Sequence, residues 1–456
     1  MAFLVRFLKR LGLLFLAILA VYAVGRPTQM WLDGFYSGER EPYLQMMSMD
    51  AVTIRWQSEN DFKGVVKFGE DQAQLNKVEL ETASKTVHEV RITNLKPNTT
   101  YFYSAGDESE AQFKGNNYWF KTSPLKQTKT FRFWVTGDQG YANKIQTDVR
   151  DAAYSWASKH TRNNKTPALF DLWLTTGDNA YRSGTNEQFQ TGFFEPYKQI
   201  LTNTPVWPTY GNHDARRWVF YDIFTLPTQA ESGGVASGSE HYYSFDYADV
   251  HFLMLDTQDS SHDVDGDMLQ WLKKDLAFAK KQNKKWLVAV FHHPPYSKGS
   301  HDSDNEKDSG GRLVSVRENI LPLLESSGVD LVLSGHSHMY ERSDLLACHY
   351  SDSSQFKKEF VRSNNNSRYT KKESGISLNS GTVYTVIGSS SKLDNGPLDH
   401  PALPHSLHEA GSMIIDINQN SLKAYFINNN GKVKDQFEIV KGKQGGVSSK
   451  SCIVSK

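Results

Sequence analysis

The sequence predicts an α/β layered domain preceded by a small all-β sandwich, and three observations predict it. Between Tyr43 and Ser123, short runs alternate apolar and polar residues at the period of half-buried strands, with turn-forming residues between them. Beyond Thr130 the runs become continuously apolar, as strands buried on both faces require. Helical patterns stand between several of these later runs, and strands alternating with helices build a layered α/β domain.

The chain has 456 residues, so two or three domains are expected. With 38% hydrophobic and 12% aromatic residues, it holds enough apolar material for sizeable cores, which excludes global disorder. Lys+Arg and Asp+Glu both number 51, and no global basic field recommends nucleic acid as a partner. The first residues read as a targeting segment. Arg6, Lys9 and Arg10 form a basic region, Leu11 to Val24 is apolar and uncharged, and Ala23 and Gly25 suit a cleavage site. The apolar run is shorter than the roughly 20 residues a spanning helix wants. Residues 1–25 are therefore expected to be a signal peptide, with an N-terminal anchor as the alternative. Either places the remainder outside the cytoplasm: secreted, periplasmic or membrane-anchored. The two cysteines, Cys348 and Cys452, could pair in an exported protein. Their spacing does not decide it, and it is not a zinc-site pattern.

In the all-β domain, expected over 43–123, Val52–Trp56 alternates at strand period, followed by runs at Gly64–Phe68, Val87–Ile92, Thr100–Ala105 and Tyr118–Lys121. The string Asn94-Leu95-Lys96-Pro97-Asn98-Thr99-Thr100-Tyr101 resembles the tyrosine corner of fibronectin type III domains, with Trp56 as a core residue. No titratable cluster occurs there, so no chemistry is assigned to it. A linker follows to Thr130, and the second domain is expected over 130–440. Asp267–Lys281 places Met268, Trp271, Leu272 and Leu276 on one helical face, and Arg312–Ser326 is similar. Asp263-Val264-Asp265-Gly266-Asp267 begins like a calcium loop, but Lys274 stands where a Glu is needed, so helix capping is expected instead. The polar stretch Tyr350–Gly375 reads as a surface loop or insertion, and 441–456 as a flexible tail.

Five apolar runs end in chemistry-bearing residues. Phe131–Thr136 leads to Gly137-Asp138, Leu172–Thr176 to Gly177-Asp178, and Val206–Tyr210 to Gly211-Asn212-His213-Asp214. Trp286–Phe291 leads to His292, and Leu331–Leu333 to Ser334-Gly335-His336-Ser337-His338. In layered α/β folds such strand endings converge on one ligand site. Asp, Asn and His without thiolates suit hard or borderline divalent and trivalent metals rather than structural zinc or iron–sulfur clusters. Any one string alone is weak, since Gly-Asp is commonly a turn. Five in series, each closing an apolar run, make one metal-binding set. Asp256 closes a sixth run and reads as a structural strand-end turn.

The order GD, GD, GNHD, H, GHxH resembles the calcineurin-like metallophosphoesterases. Tyr181, three residues after Asp178, and the string Gly335-His336-Ser337-His338-Met339-Tyr340-Glu341-Arg342 resemble the purple acid phosphatases more narrowly, as does a β-sandwich ahead of the catalytic domain. The resemblance implies a four-layer β-sandwich flanked by helices. It implies a ferric ion held by Asp138, Asp178, Tyr181 and His338, and a divalent ion (Zn, Fe or Mn) held by Asp178, Asn212, His292 and His336. Asp178 would bridge the two ions, and phenolate is a hard anionic oxygen that suits ferric iron. Matching Trp286-Leu287 and Pro294-Pro295-Tyr296 to the family pattern selects His292 as ligand, with His293 pointing away. His213 corresponds to a histidine facing the substrate phosphate, and Asp214 beside it could orient it or raise its pKa. His301 resembles a second substrate-facing histidine, the proton donor to the leaving group. Plant-type members often carry two adjacent histidines there, where this chain has His301-Asp302.

The implied function is acid phosphatase: hydrolysis of small phosphate monoesters by metal-bound hydroxide attacking in line, without a phosphoenzyme. A phosphodiesterase or nucleotide phosphohydrolase on the same metal core is the alternative, since pocket loops choose the substrate. A catalytically dead cell-surface interaction protein would show lost ligand residues, and none of the expected set is missing.

Overall fold

A computed structural model describes residues 11, 28–126, 130–161, 168–365 and 367–452. The expected leader at 1–25 lies, apart from Leu11, outside the described residues. Among the described residues no helix is long and apolar enough to cross a membrane.

The N-terminal domain is a three-on-four sandwich. Strands β1 (Arg40–Gln45), β2 (Val52–Phe62) and β5 (Lys85–Ile92) form one sheet in the order β1-β2-β5. Strands β3 (Val65–Gly69), β4 (Lys77–Leu80), β6 (Thr100–Gly106) and β7 (Trp119–Lys121) form the other in the order β4-β3-β6-β7. The alternation read at Val52–Trp56 puts Val52, Ile54 and Trp56 into the core between the sheets. The tyrosine corner forms, for the Tyr101 hydroxyl accepts the Lys96 backbone N–H at 3.0 Å. The sandwich is fastened to the second domain through buried polar contacts. Arg40 donates to Gln190 Oε1 (2.9 Å) and Asn186 Oδ1 (2.6 Å) with its guanidinium 3.9 Å from the Phe194 ring centre, and the Tyr43 hydroxyl donates to the Ile223 carbonyl at 2.7 Å.

The second domain has four layers. Strands β8 (Thr130–Thr136), β9 (Leu172–Thr175), β10 (Val206–Pro208), β18 (Arg368–Thr370), β21 (Gly411–Asn418), β22 (Ser421–Asn428) and β23 (Val433–Val440) form one sheet, ordered β10-β9-β8-β21-β22-β23-β18. Strands β11 (Tyr243–Tyr247), β12 (Val250–Met254), β13 (Trp286–Val290), β14 (Leu331–Ser334), β15 (Tyr340–Arg342), β19 (Val383–Ile387) and β20 (His405–Leu407) form the other, ordered β11-β12-β13-β14-β19-β15-β20. β8, β9 and β10 run parallel, as do β12, β13, β14 and β19. The continuous apolar runs follow from burial on both faces. In β8, Phe133 meets Phe252 of the facing sheet at 5.4 Å, while Trp134 on the opposite face packs on Tyr154 of the helix Lys144–Lys159. Truncating Phe133 to Ala would cost ~3–5 kcal/mol.

Helices close the outer faces. Lys144–Lys159 starts at Asn143, whose side chain accepts the Gln146 N–H, and buries Val149, Ala152, Ala153 and Trp156. On the other side, Asp267–Lys281 buries Met268, Trp271, Leu272 and Leu276, the stripe read from the sequence. The expected helix Arg312–Ser326 runs to Ser327 and stops at Gly328, which is left-handed at φ 84°.

Three expectations are corrected. The Asp263–Asp267 string does not cap its helix through a side chain, because the cap position is Gly266. The polar stretch 350–375 is more than a surface loop: β17 (Val361–Ser363) pairs with β16 (Leu345–Leu346), and β18 adds an edge strand to the first sheet. The stretch read as a flexible tail is fastened over 441–452. Buried Lys441 joins Lys371 on the buried Asp330 carboxylate (2.7 and 2.8 Å), the Val447 N–H donates to the Thr370 carbonyl, and Cys452 forms a disulfide with Cys348.

Candidate metal centre

The carboxyl ends of β8, β9, β10, β13 and β14 deliver the motif residues to one place. Asp138, Asp178 and His336 sit just past their strands at φ 56°, 54° and 68°. Such left-handed conformations cost of order 1–3 kcal/mol at a residue with a side chain, and persist where surrounding structure enforces them. They turn the chain sharply so that the side chains face inward. The neighbouring glycines permit the close approach. A Cβ on Gly211 would stand 2.2 Å from the Asp178 nitrogen, and one on Gly335 2.5 Å from Asp138 Oδ2.

Two atoms act as foci. The Tyr181 hydroxyl lies 3.1 Å from Asp138 Oδ1, 3.0 Å from Asp178 Oδ2 and 3.2 Å from His338 Nε2. His292 Nε2 lies 2.9 Å from Asn212 Oδ1, 3.1 Å from His336 Nδ1 and 3.4 Å from Asp178 Oδ2. The same Asp178 oxygen belongs to both groups. All seven residues expected as ligands are therefore together, in two sets sharing one carboxylate.

The surrounding hydrogen bonds orient these side chains. His292 Nδ1–H donates to the Thr176 carbonyl at 2.9 Å, which leaves Nε2 as a lone pair once the ring is neutral. That lone pair faces the Asn212 carbonyl oxygen and the Nδ1 of His336. Acceptors converging without a donor suit a cation, so the residues present fit a bound metal. His338 Nδ1 pairs with Asp394 at 2.6 Å, and the His336 N–H donates to Asp138 at 2.9 Å. Electrostatics agree. Burial, then Asp138 and Asp178, hold the Tyr181 phenol far above its usual pKa, so a phenolate there requires a compensating cation. Burial opposes charge on His292, but Asp178 and Asp138 outweigh it and push its pKa up to about 9, so without a cation Nε2 holds a proton that a bound metal would displace.

The residues flanking the set partly differ from expectation. His213 stands beside Tyr181, ring centres 4.5 Å apart, with Nδ1–H donating to the Arg182 carbonyl at 2.8 Å. Asp214, expected to act on His213, does not reach it. It is buried and accepts the N–H groups of Asn179, Ala180 and Gly211 and the Asn179 side-chain amide. It therefore ties the β9 and β10 endings together. His301 does face the centre, its ring stacked 3.8 Å from His336 and its Nδ1 2.8 Å from Asp308. His293 does not point away. Its ring lies 4.5 Å from that of His336, while Nδ1 engages the Thr257 hydroxyl at 3.0 Å. Asp256 is a strand-end turn as expected, accepting the N–H groups of Gln258 and Asp259.

Sequence reasoning missed Asp394, Asp308 and the Thr176 carbonyl. Asp394 is 56 residues from its partner, and nothing in its local pattern marks it. Asp308, seven residues after His301, was the most accessible of the three, since an acid near a loop histidine is a candidate partner.

Both domains of the chain resemble known proteins. Residues 131–340 match the family described as calcineurin-like phosphoesterase, which takes in all five motifs. Residues 41–133 match the family described as purple acid phosphatase, N-terminal domain. Purple acid phosphatase 22 of Arabidopsis thaliana is 28% identical over 329 residues, covering 68% of this chain and 68% of that protein. Purple acid phosphatase 21 of the same plant is 32% identical over 268 residues, covering 57% of this chain and 54% of its own length. A purple acid phosphatase from seeds of yellow lupin (Lupinus luteus) shares the fold, with a TM-score of 0.68 at 16% identity over 92% of this chain and 78% of that one.

Proposed function

Since this chain belongs to the purple acid phosphatase family of calcineurin-like phosphoesterases, we propose that it hydrolyses small phosphate monoesters at a two-metal centre and works outside the cytoplasm. The observation that carries the proposal is the pair of donor sets centred on the Tyr181 hydroxyl and His292 Nε2, sharing Asp178. Asp138, Asp178, Tyr181 and His338 would hold ferric iron, and Asp178, Asn212, His292 and His336 a divalent zinc, iron or manganese ion. When bound, such a pair neutralises phosphate oxygens and makes water acidic enough to attack at low pH. Asn212 contributes a neutral oxygen, which leaves its side of the centre more electrophilic than a third carboxylate would.

The remaining work falls to the chain's own groups. His213, with Nδ1–H committed to the Arg182 carbonyl, would donate from Nε2–H to a phosphate oxygen when its ring carries a second proton. His301, with Nδ1–H on Asp308, has Nε2 left to protonate the departing ester oxygen as the phosphorus–oxygen bond breaks. Water attacks in line from the opposite side, and His301 regains its proton from solvent. The Cys348–Cys452 disulfide supports an oxidising compartment.

The test is elemental analysis with a visible spectrum on protein purified under oxidising conditions, alongside turnover of aryl phosphate and bis-aryl phosphate. Iron near one equivalent, a second metal, and a broad visible band that disappears in Tyr181→Phe are the expected result. Two metals without that band would refute the ferric–tyrosinate assignment. Preference for the diester would refute the monoesterase reading.

A further inference from the structure

Resting on that two-metal reading, we propose that Asp308 and Ser309 are positioning residues that tie the substrate-facing His301 to the metal-site residue His336. Neither belongs to any of the five motifs. They lie in the loop Asp308–Gly311, where Ser309, Gly310 and Gly311 all take left-handed conformations (φ 52°, 66° and 79°). This turn brings Ser309 Oγ to 2.6 Å from His336 Nε2. The same hydroxyl donates to Asp308 Oδ1 at 2.7 Å, and that oxygen also receives His301 Nδ1–H at 2.8 Å. Asp308 Oδ2 accepts the Asp302 N–H at 2.9 Å, which holds the carboxylate in place. The His301 ring lies over the His336 ring, 3.8 Å away at 20°.

The proton assignments follow from counting donors. A hydroxyl has one proton, and Ser309 gives it to Asp308, so toward His336 it can only accept. His336 must then carry its proton on Nε2, which leaves Nδ1 as a lone pair facing His292 Nε2 at 3.1 Å. Asp308 likewise takes the Nδ1 proton of His301 and leaves the other ring nitrogen for substrate. One carboxylate thus sets the tautomer of a metal-site histidine, through Ser309, and of the proton donor, directly. Second-sphere groups of this kind commonly change metal affinity 10–100-fold. Where the plant-type pattern has two adjacent histidines, this chain has His301-Asp302, and the Asp302 backbone serves Asp308.

The experiment compares wild type with Ser309→Gly and Asp308→Ala as full chains. Glycine accepts φ near 52° without strain, so Ser309→Gly removes the hydroxyl and leaves the turn. Metal-free protein is titrated with Zn²⁺ by calorimetry, and thermal melts establish that each variant is folded. Loaded protein is then assayed on an alkyl phosphate and on 4-nitrophenyl phosphate, whose leaving group needs little protonation. Zinc affinity is expected to fall about 10-fold or more in both variants. Asp308→Ala should also lose about 10-fold more rate on the alkyl ester than on the aryl ester, whereas Ser309→Gly should slow both alike. Zinc affinity within twofold of wild type in Ser309→Gly, or no alkyl-over-aryl loss in Asp308→Ala, would overturn the proposal. The zinc titration reads the Ser309 link without turnover, so a wild type that binds zinc there but, loaded with both iron and zinc, cleaves neither ester refutes the phosphoesterase reading separately.

Discussion

Replacing Asp214 with Ala tests whether this buried carboxylate is part of the chemistry or part of the frame that holds it. In the structure it accepts the N–H groups of Asn179 (2.9 Å), Gly211 (3.0 Å) and Ala180 (3.3 Å) and the Asn179 side-chain amide (2.9 Å). The substitution strands four buried donors, a gross loss of ~1–3 kcal/mol each. Against this stands the cost of burying the carboxylate beside Asp178, which pushes its pKa up to about 8 and is relieved in the variant. Taking ~3–5 kcal/mol as the net, and an unfolding entropy of ~2.1 cal/mol/K per residue over roughly 310 residues, Tm should fall by about 5–8 °C. Calorimetry on metal-free protein is the assay, because lost metal binding then contributes nothing. Turnover of the loaded variant should also drop, because Asn212 and His213 sit in the loop that Asp214 fastens. A Tm within about 2 °C of wild type with turnover abolished would refute this account and restore a direct catalytic role.

Two further outcomes are expected. Burial holds the pKa of His349 down at about 4, with Arg317 adding to it, and that of His400 down at about 3. Both are neutral in the fold, while an unfolded histidine titrates near ~6.5. Stability is therefore full above about pH 6.5 and falls as the unfolded chain gains protons the fold refuses, by ~3 kcal/mol for His349 by pH 4. The urea midpoint should fall from pH 7.5 to pH 4.5 in wild type and fall less in His349→Phe, and equal falls would refute the assignment. Reducing the disulfide, or Cys452→Ser, opens a loop of 104 residues, worth up to ~4.7 kcal/mol in the chain-entropy account. Lower thermal stability and faster proteolysis after Lys441 should follow, and unchanged cleavage would mean the hydrogen bonds of 441–452 suffice alone.

Much of the site was legible because its residues are local to strand ends. A strand buried on both faces must be apolar, and the first polar residues after it must leave the sheet, so Gly137-Asp138 and Gly335-His336-Ser337-His338 announce both strand and site. The helix Asp267–Lys281 was legible for the same reason, since its buried stripe repeats at helical period. Illegible were the partners supplied from loops. Asp394 and Asp308 act through single hydrogen bonds to His338 and His301, and a single bond imposes no period on the chain. The 350–375 stretch misled because its few apolar residues, Tyr369 among them, lie in a polar background yet reach the core.

The sequence by itself determined the series of buried strands and the chemistry-bearing residues that end them, because burial restricts residue type along a strand, while resemblance to the purple acid phosphatases implied which seven of those residues would ligate and that Asp178 would be shared. Tertiary structure alone set Asp214 on the Asn179 side-chain amide, laid His293 against His336, and brought Asp308 within hydrogen-bond reach of both His301 and Ser309. A carboxylate or imidazole can donate, accept or carry charge in several ways. Which of these it does depends on the few atoms within about 3 Å, and those come from segments far apart in the chain.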